Sequence, residues 1–193
     1  MKTIMIIFVI ACWLNPLFAD EETLVSGDIE SGWFFASVNE LTSINNEMTH
    51  LDGWQLSWVA NSTYNVGWTS IDSDDDLKTS VMLNEEPIYA KMNLHGLHFE
   101  YVWNSDKMFH WIAGMHAGFG NFEYNVSSGS GDFDKDWIYF ATPSAAIEVN
   151  LFTWMRVDVG ASYHLITGVD LNGLSASEFG GPNAMVKLKF GNF

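Results

Sequence analysis

The sequence is poor in cysteine, in basic residues and in long apolar runs, and each shortage argues against a class of protein. Cys12 is the only cysteine, so a mature chain without it has no disulfide, zinc–thiolate site or thiol catalyst. Eight Lys and Arg face 24 Asp and Glu, a net charge of −16, which argues against nucleic acid as a partner because phosphates need basic side chains. Most of the chain lacks a long apolar run, and its 14 Phe and 9 Trp are spread over alternating segments, as in β-structure.

The longest apolar run stands at the N-terminus and predicts a secretory signal peptide over residues 1–19. Lys2 precedes the run at 4–14, a break follows at Pro16, and Ala19 offers a small residue for cleavage. The run is too short to span a bilayer as a helix. In a competing interpretation Cys12 is the lipidated residue of a lipoprotein signal, and the sequence leaves that choice open. Removal of the leader takes Lys2 with it and leaves 7 − 24 = −17 charges.

Two runs of alternating residues between Gly96 and Gly120 predict an antiparallel hairpin. They are joined by the polar turn Asn104-Ser105-Asp106-Lys107. One face is bulky, apolar and uncharged, whereas the other is small, polar or ionisable. The bulky face comprises Leu97, Phe99, Tyr101, Trp103, Phe109, Trp111, Ala113, Met115, Ala117 and Phe119.

Similar segments elsewhere give about eight strands, which predicts an all-β fold. The predicted fold is an eight-stranded antiparallel up-and-down transmembrane β-barrel at 31–193, preceded by a polar lead-in at 20–30. The connections alternate between short turns and long polar or acidic loops, the latter at 42–50, 71–87, 123–136 and 167–182. Short turns on one rim and long loops on the other are typical of outer-membrane barrels, with short periplasmic turns and longer extracellular loops. Pro143 falls within a strand of this closed barrel, which predicts a bulge there.

A soluble lipocalin-like barrel is the alternative fold, and the polar faces distinguish the two. A soluble barrel needs a hydrated outer face rich in Lys and Glu. Here the polar faces are mostly Gly, Ser, His and Thr, which suit the narrow interior of an eight-stranded barrel. Trp54, Trp103, Trp137 and Trp154 fall near strand ends, where interfacial aromatic girdles belong. In the last strand Lys187 and Lys189 lie in the opposite phase to the apolar residues, in phase with Phe193.

The chain resembles a family of small, uncharacterised outer-membrane β-barrel proteins of Gram-negative bacteria. The resemblance spans most of the mature chain and lies in turns and strand ends. It implies the fold and an outer-membrane location, and it carries no activity to any residue. The similar pieces are Phe99-Glu100-Tyr101 with Asn104-Ser105-Asp106-Lys107, Gly160-Ala161-Ser162-Tyr163 with Gly168-Val169-Asp170-Leu171, Gly173-Leu174-Ser175, and Lys189-Phe190-Gly191-Asn192-Phe193.

The polar faces predict a barrel-interior network of ionisable side chains. Because charges removed from water are costly unless paired, these side chains should pair with one another. A three-residue turn in the hairpin sets Glu100 opposite or diagonal to His110, and a loop at 151–153 sets Glu148 opposite Arg156 rather than Asp158. The predicted members are His98, Glu100, His110, His116, Glu148, Arg156, Asp158 and His164.

The chain offers no convincing metal, cofactor or catalytic motif. Two aspartate triplets have the spacing of the first calcium-loop ligands. However, Leu77 and Trp137 replace the required glycine, and no Glu occupies the last ligand position of either loop. Ser162 and His164 share a face, yet two residues on one strand make no triad. We therefore predict no catalytic residue, no metal and no cofactor. The triplets are Asp72, Asp74 and Asp76, and Asp132, Asp134 and Asp136.

The sequence thus predicts a non-catalytic integral outer-membrane protein with an envelope-structural or surface-contact role. Its predicted partners are outer-membrane lipid and, during biogenesis, the barrel-assembly machinery, and no specific protein partner follows from the sequence. The alternatives are a narrow, pH-responsive conduit, since His near carboxylates titrates near neutral pH, a lipid-modifying enzyme, and a soluble periplasmic ligand binder.

Overall fold

The computed structural model describes residues 29–44, 47–73, 77–83, 85–126, 134–171 and 173–193. The predicted leader at 1–19 with Cys12, and the predicted lead-in up to residue 28, lie outside these ranges. Asp74, Asp76 and Asp132 of the aspartate triplets also lie outside them.

The described chain forms nine strands and one single-turn helix. The strands are β1 (Ser31–Ile44), β2 (Glu47–Ala60), β3 (Tyr64–Ser73), β4 (Leu77–Leu83), β5 (Glu86–Trp103), β6 (Phe109–Asn125), β7 (Asp134–Phe152), β8 (Met155–Thr167) and β9 (Gly181–Asn192), and the helix is α1 (Ala176–Phe179). No helix within the described ranges is long and apolar enough to cross a membrane.

Eight of the strands close into a ring. The order is β3-β2-β1-β9-β8-β7-β6-β5, and antiparallel pairing of β5 with β3 completes the circle. Every neighbouring pair is antiparallel, and β4 pairs with the far end of β5 on the same edge as β3, so that it continues the wall beyond β3. The predicted eight-stranded, up-and-down, antiparallel barrel is therefore confirmed.

Strict alternation of side chains decides which face of each strand points into the barrel. In the second half of β5 and throughout the apolar stretch of β6, the odd-numbered residues point outward, as predicted. Trp103 and Trp111, which pair directly across these strands, are 63% and 62% exposed on the outside. Such a surface is too apolar for water over so wide an area and suits the hydrocarbon of a bilayer.

On five strands of the ring, β1, β2, β3, β5 and β6, the polarity of both faces inverts at one register row, here called the polarity row. Its residues pair directly from strand to strand on the outer phase. Between this row and the short turns, the outer face of the barrel is apolar and aromatic, and the interior holds the buried charged side chains beside two small apolar clusters. On the other side of the row, the interior is an apolar core that includes Leu51, Met92 and Phe122, while β5 turns Lys91 outward. The polarity row consists of Asn39, Asp52, Asp72, Asn93 and Asn121.

The strands run further than predicted, and this inversion is the reason. The predicted loop at 42–50 is wrong, because β1 continues to Ile44 and β2 begins at Glu47. Within the predicted acidic loop at 71–87 the chain forms β4, and β6 and β7 extend into the predicted loop at 123–136. Beyond the polarity row the outer phase becomes polar, so the sequence resembles a loop there although the inner phase still packs a core.

Pro143 does not cause the predicted bulge. The β7–β8 register is the same on both sides of it, from Ala141 opposite Leu165 to Ser144 opposite Ser162. The ladder is interrupted for two residues without an inserted one, and a side-chain contact of 2.7 Å joins Thr142 Oγ1 and His164 Nδ1 at that level. The bulge between these strands lies instead at the end of β7, between Asn150 and Phe152.

Candidate functional site

The polar half of the barrel interior is organised around one lysine of β9. Lys189 has no solvent exposure, and its Nζ contacts three carboxylates. Nζ lies 2.8 Å from Glu148 Oε2, 2.8 Å from Asp158 Oδ2 and 3.0 Å from Glu100 Oε2. It also lies 4.9 Å from the centre of the Phe34 ring. One cation therefore links carboxylates from β5, β7 and β8.

Three further cationic or ionisable side chains complete the pairing of these carboxylates. Lys187 Nζ lies 2.6 Å from Glu100 Oε1, and Arg156 Nη1 lies 2.9 Å from Glu148 Oε1. His110 Nε2 is 2.6 Å from the same Glu148 oxygen. The three buried carboxylates are thus matched by two lysines and an arginine, whose attraction offsets the cost of removing these charges from water.

A second, smaller cluster surrounds Glu40 of β1. His164 Nε2 lies 3.0 Å from Glu40 Oε2, Asn183 Nδ2 donates to the same oxygen at 3.3 Å, and Ser162 Oγ donates to Oε1 at 3.3 Å. His164 Nδ1 is held by Thr142. This cluster ties β1, β7, β8 and β9 together across the interior.

The other two histidines of the predicted network, His98 and His116, differ in how many hydrogen-bond partners they have. Both ring nitrogens of His98 have hydroxyl partners, Nε2 with Ser57 and Nδ1 with Thr69 at 2.9 Å. His116 packs edge-on against Phe140, at the start of the apolar core, and its buried Nε2 has no protein partner among the described residues. Beside it lies a cavity of about 20 Å³, enough for one water molecule.

All eight predicted network residues lie on the inner phase of their strands, but they form two clusters with His98 and His116 apart. Sequence reasoning missed Glu40, Gln55, Asn65, Lys187 and Lys189. Gln55 Nε2 and Asn65 Nδ2 both donate to Glu100, at 3.3 and 3.0 Å. The inverted phase of Lys187 and Lys189 in the last strand is the signal that could have placed them inside, because they alternate with apolar residues that point outward.

The predicted neighbour of Glu100 is wrong. The β5–β6 turn is longer than three residues, since Trp103 pairs with Trp111, and Asn104 adopts a left-handed conformation with φ of 57°. Glu100 therefore lies opposite Gly114, and His110 lies opposite Glu148 on the other side of β6. The glycine leaves Glu100 free to reach across the interior to the lysines of β9.

The predicted pairing of Glu148 with Arg156 across the β7–β8 hairpin is also wrong. Glu148 pairs directly with Asp158, and Arg156 pairs with Asn150. Like-charge repulsion alone would disfavour this register. Lys189 compensates for this repulsion, because its ammonium group contacts both carboxylates. Arg156 also contacts Glu148, from the diagonal position.

A third polar group lies at the opposite end of the barrel, in the apolar half. Asp136 Oδ2 accepts hydrogen bonds from the Tyr124 hydroxyl at 2.9 Å and from the backbone N–H groups of Asp170 and Leu171 at 2.9 and 3.1 Å. Burial and the nearby Asp136 carboxylate raise the pKa of the Tyr124 hydroxyl, which keeps it a donor. Asp136, a member of the second aspartate triplet, thus uses its carboxylate to hold the chain after β8.

The chemistry open to these sites is limited. Within the described ranges no group of three or more His, Cys, Asp or Glu side chains is arranged to hold a metal ion. Ser162 donates to Glu40 and His164 contacts Thr142 and Glu40, so each is engaged with another side chain inside the barrel. The arrangement is suited to linking strands through charge and hydrogen bonding.

Comparison with known proteins gives likenesses in structure alone. No protein-family model and no curated protein matches the sequence. The N-terminal β-barrel domain of Pseudomonas aeruginosa OprF matches with a TM-score of 0.57 and 10% identity, over 85% of this chain and 99% of that one. Ail of Yersinia pestis, solved with the heparin analogue sucrose octasulfate, matches with a TM-score of 0.53 and 12% identity, over 86% and 100%.

Neisserial surface protein A matches with a TM-score of 0.53 and 8% identity, over 85% of this chain and 99% of that one. Identities this low show the fold and nothing more. Each of these barrels is aligned over nearly its whole length. This chain has the fold of the eight-stranded outer-membrane β-barrels of Gram-negative bacteria.

Proposed function

We propose that this chain is a non-catalytic integral protein of the outer membrane, with an envelope-structural or surface-contact role. The observation that carries the proposal is the inversion of polarity at the row of Asn39, Asp52, Asp72, Asn93 and Asn121. One half of the barrel has the apolar exterior of a structure surrounded by lipid. The other half has the apolar core of a structure surrounded by water.

The same observation supports surface contact over a purely buried role. Beyond the polarity row, β5, β6 and β7 continue, and Met92, Phe122 and Tyr124 pack in a common core there. This half therefore extends beyond the membrane as a packed structure instead of as loose loops. A folded projection offers other molecules a surface of fixed shape, so that little conformational entropy is lost when they bind.

The sulfated ligand of Ail does not transfer to this chain. Binding a polyanion requires clustered basic residues, whereas this chain has 8 Lys and Arg against 24 Asp and Glu. Lys135, which lies on the outside of the projecting half, is already paired with Glu123 at 2.7 Å. In this proposal the partners are outer-membrane lipid around the apolar band and the barrel-assembly machinery during biogenesis.

The interior geometry favours a closed barrel over a conduit. The ion pairs around Lys189 occupy the polar half, and the cavity beside His116 is about 20 Å³. The apolar core fills the other half. An ion that crossed would meet both obstacles in series.

Conductance in planar bilayers tests this point. We expect the purified barrel to show no discrete channel steps between about pH 5 and 8, the range in which exposed histidine titrates. Replacing His98, His110 and His116 by Gln should leave the trace unchanged. Steady conductance that these replacements abolish would establish the conduit instead.

Cell fractionation with a gel-shift assay tests the location. The chain should remain with the outer membrane after an alkaline wash, and its unheated band should migrate differently in detergent gels from the heated one, because a closed barrel resists unfolding. Release into the soluble fraction would contradict the proposal.

Incubation with labelled outer-membrane lipid tests the absence of catalysis, since a lipid-modifying enzyme would release or transfer an acyl chain.

A further inference from the structure

The apolar end of the barrel is covered by the chain between β8 and β9, here called the strap (168–171 and 173–180). Phe179 of the strap is 2% exposed, and its ring lies 4.1 Å from the Phe122 ring, centre to centre. Val169, Leu171 and Leu174 are partly buried against the same core. The strap therefore acts as a stopper made of apolar side chains.

The backbone of the strap is attached to the barrel wall at one side chain. Asp136 Oδ2 accepts the N–H groups of Asp170 and Leu171, and Tyr124 donates to the same oxygen from the neighbouring strand. The other backbone hydrogen bonds found in the described part of the strap stay within it, from Leu174 to Leu171, Glu178 to Ser175 and Gly180 to Ala176. Hydrogen bonds to a carboxylate are stronger than neutral ones, so this attachment is concentrated in one group.

The strap also has the backbone of a unit that can move as a whole. Gly168, the first residue after β8, has a backbone φ of +96°, which residues other than glycine rarely adopt. Its helix α1 is capped internally, because Ser175 accepts from the Ser177 N–H and Glu178 accepts from the Ser175 N–H. These capping bonds do not depend on the barrel wall.

We propose that the strap is a hinged stopper and that Asp136 is its latch. With Asp136 engaged, the strap closes the apolar half of the interior. With the latch released, the strap pivots at Gly168 and admits solvent to the core around Phe122. This goes beyond the proposed role of the barrel, because it assigns a conformational device to one end of it and does not depend on which partner, if any, the protein contacts.

Hydrogen exchange in the full-length barrel, folded in detergent micelles, tests the latch. In the Asp136→Ala variant the amides of Asp170 and Leu171 should exchange about tenfold faster or more, because each loses a charge-assisted hydrogen bond. Glu123→Ala is the matched control, since it removes a carboxylate of the same region that faces outward and pairs with Lys135. It should leave exchange at both amides unchanged.

The heated and unheated gel bands establish that each variant has folded. If folded Asp136→Ala exchanges at the wild-type rate, the latch is refuted. If that variant does not fold, Tyr124→Phe decides, because it removes one hydrogen bond to Asp136 and leaves the carboxylate in place. Faster exchange at Asp170 and Leu171 in Tyr124→Phe supports the latch, and unchanged exchange overturns it.

Discussion

Lys189 shows how a single residue can determine whether a polar interior is tolerable. Its ammonium contacts Glu100, Glu148 and Asp158, which come from three different strands. Without it, two of these carboxylates would face each other directly across β7 and β8. The stability of the closed barrel therefore depends on this lysine more than on any one of its partners.

We expect Lys189→Met to destabilise the barrel by about 3–5 kcal/mol, because it leaves buried carboxylates without their cation. The measurement is urea unfolding in lipid vesicles, followed by tryptophan fluorescence. Lys135→Met is the control, since Lys135 forms an exposed ion pair with Glu123 and its loss should change stability by at most about 1 kcal/mol. Equal effects of the two substitutions would show that the interior pairs are not structurally important.

At the residue scale the sequence predicts which side chains point inward but not which of them meet. Inward facing follows from period-two alternation, which each strand carries in its own residues. Partners across the interior depend on turn length and on strands far apart in the chain. Glu40 and Asn183, for example, are 143 residues apart and share a hydrogen bond.

At the scale of elements, the β5–β6 turn sets the register of the most aromatic hairpin. Asn104 has a left-handed backbone, and the Lys107 N–H donates to its carbonyl at 2.9 Å. The end of β7 supports this turn, because Asn150 Nδ2 donates to the Lys107 carbonyl at 2.9 Å. The sequence indicates a turn here, but four polar residues do not reveal how many of them lie outside the ladder.

Asn104→Val should therefore destabilise the barrel by about 1–2 kcal/mol, because a β-branched residue is strained in the left-handed region. Asn104→Gly should be close to neutral, since glycine adopts that conformation freely. Ser105→Val, one position along the same turn, is the comparison that tests for a general effect of valine. The unfolding midpoint in urea is the measurement, and an Asn104→Val variant as stable as the Asn104→Gly variant would contradict the role of this backbone.

At the scale of the whole molecule, the polarity row separates a half with an apolar exterior, which suits lipid, from a half with an apolar core and a more polar exterior, which suits water. The first half is predictable from the sequence, because apolar and polar residues alternate there in the expected sense. The second half is not, since the sequence predicts loops where β4 and the ends of β6 and β7 form strands. The outer phase turns polar there while the core persists, and acidic connections conceal the pattern.

Arginine substitutions on β5 test where the bilayer lies. Phe99 and Asn93 are on the same face of this strand, with Phe99 in the apolar band and Asn93 in the polarity row. Phe99→Arg should cost about 2–4 kcal/mol in vesicles, whereas Asn93→Arg should cost about 0–1 kcal/mol, because the cost of a charge falls toward the membrane surface. Unfolding in lipid vesicles measures both, and equal costs would place the bilayer elsewhere.

The inversion at the polarity row also restricts how the chain can thread during assembly. A slip of one residue between neighbouring strands turns every side chain to the wrong face, as in any sheet with distinct faces. A slip of two residues keeps the faces and would ordinarily cost little. Here it would carry a charged or amide side chain into lipid on one strand, and a core residue such as Leu94 out of its layer. The row therefore restricts how far β1, β2, β3, β5 and β6 can slide past one another as the barrel closes.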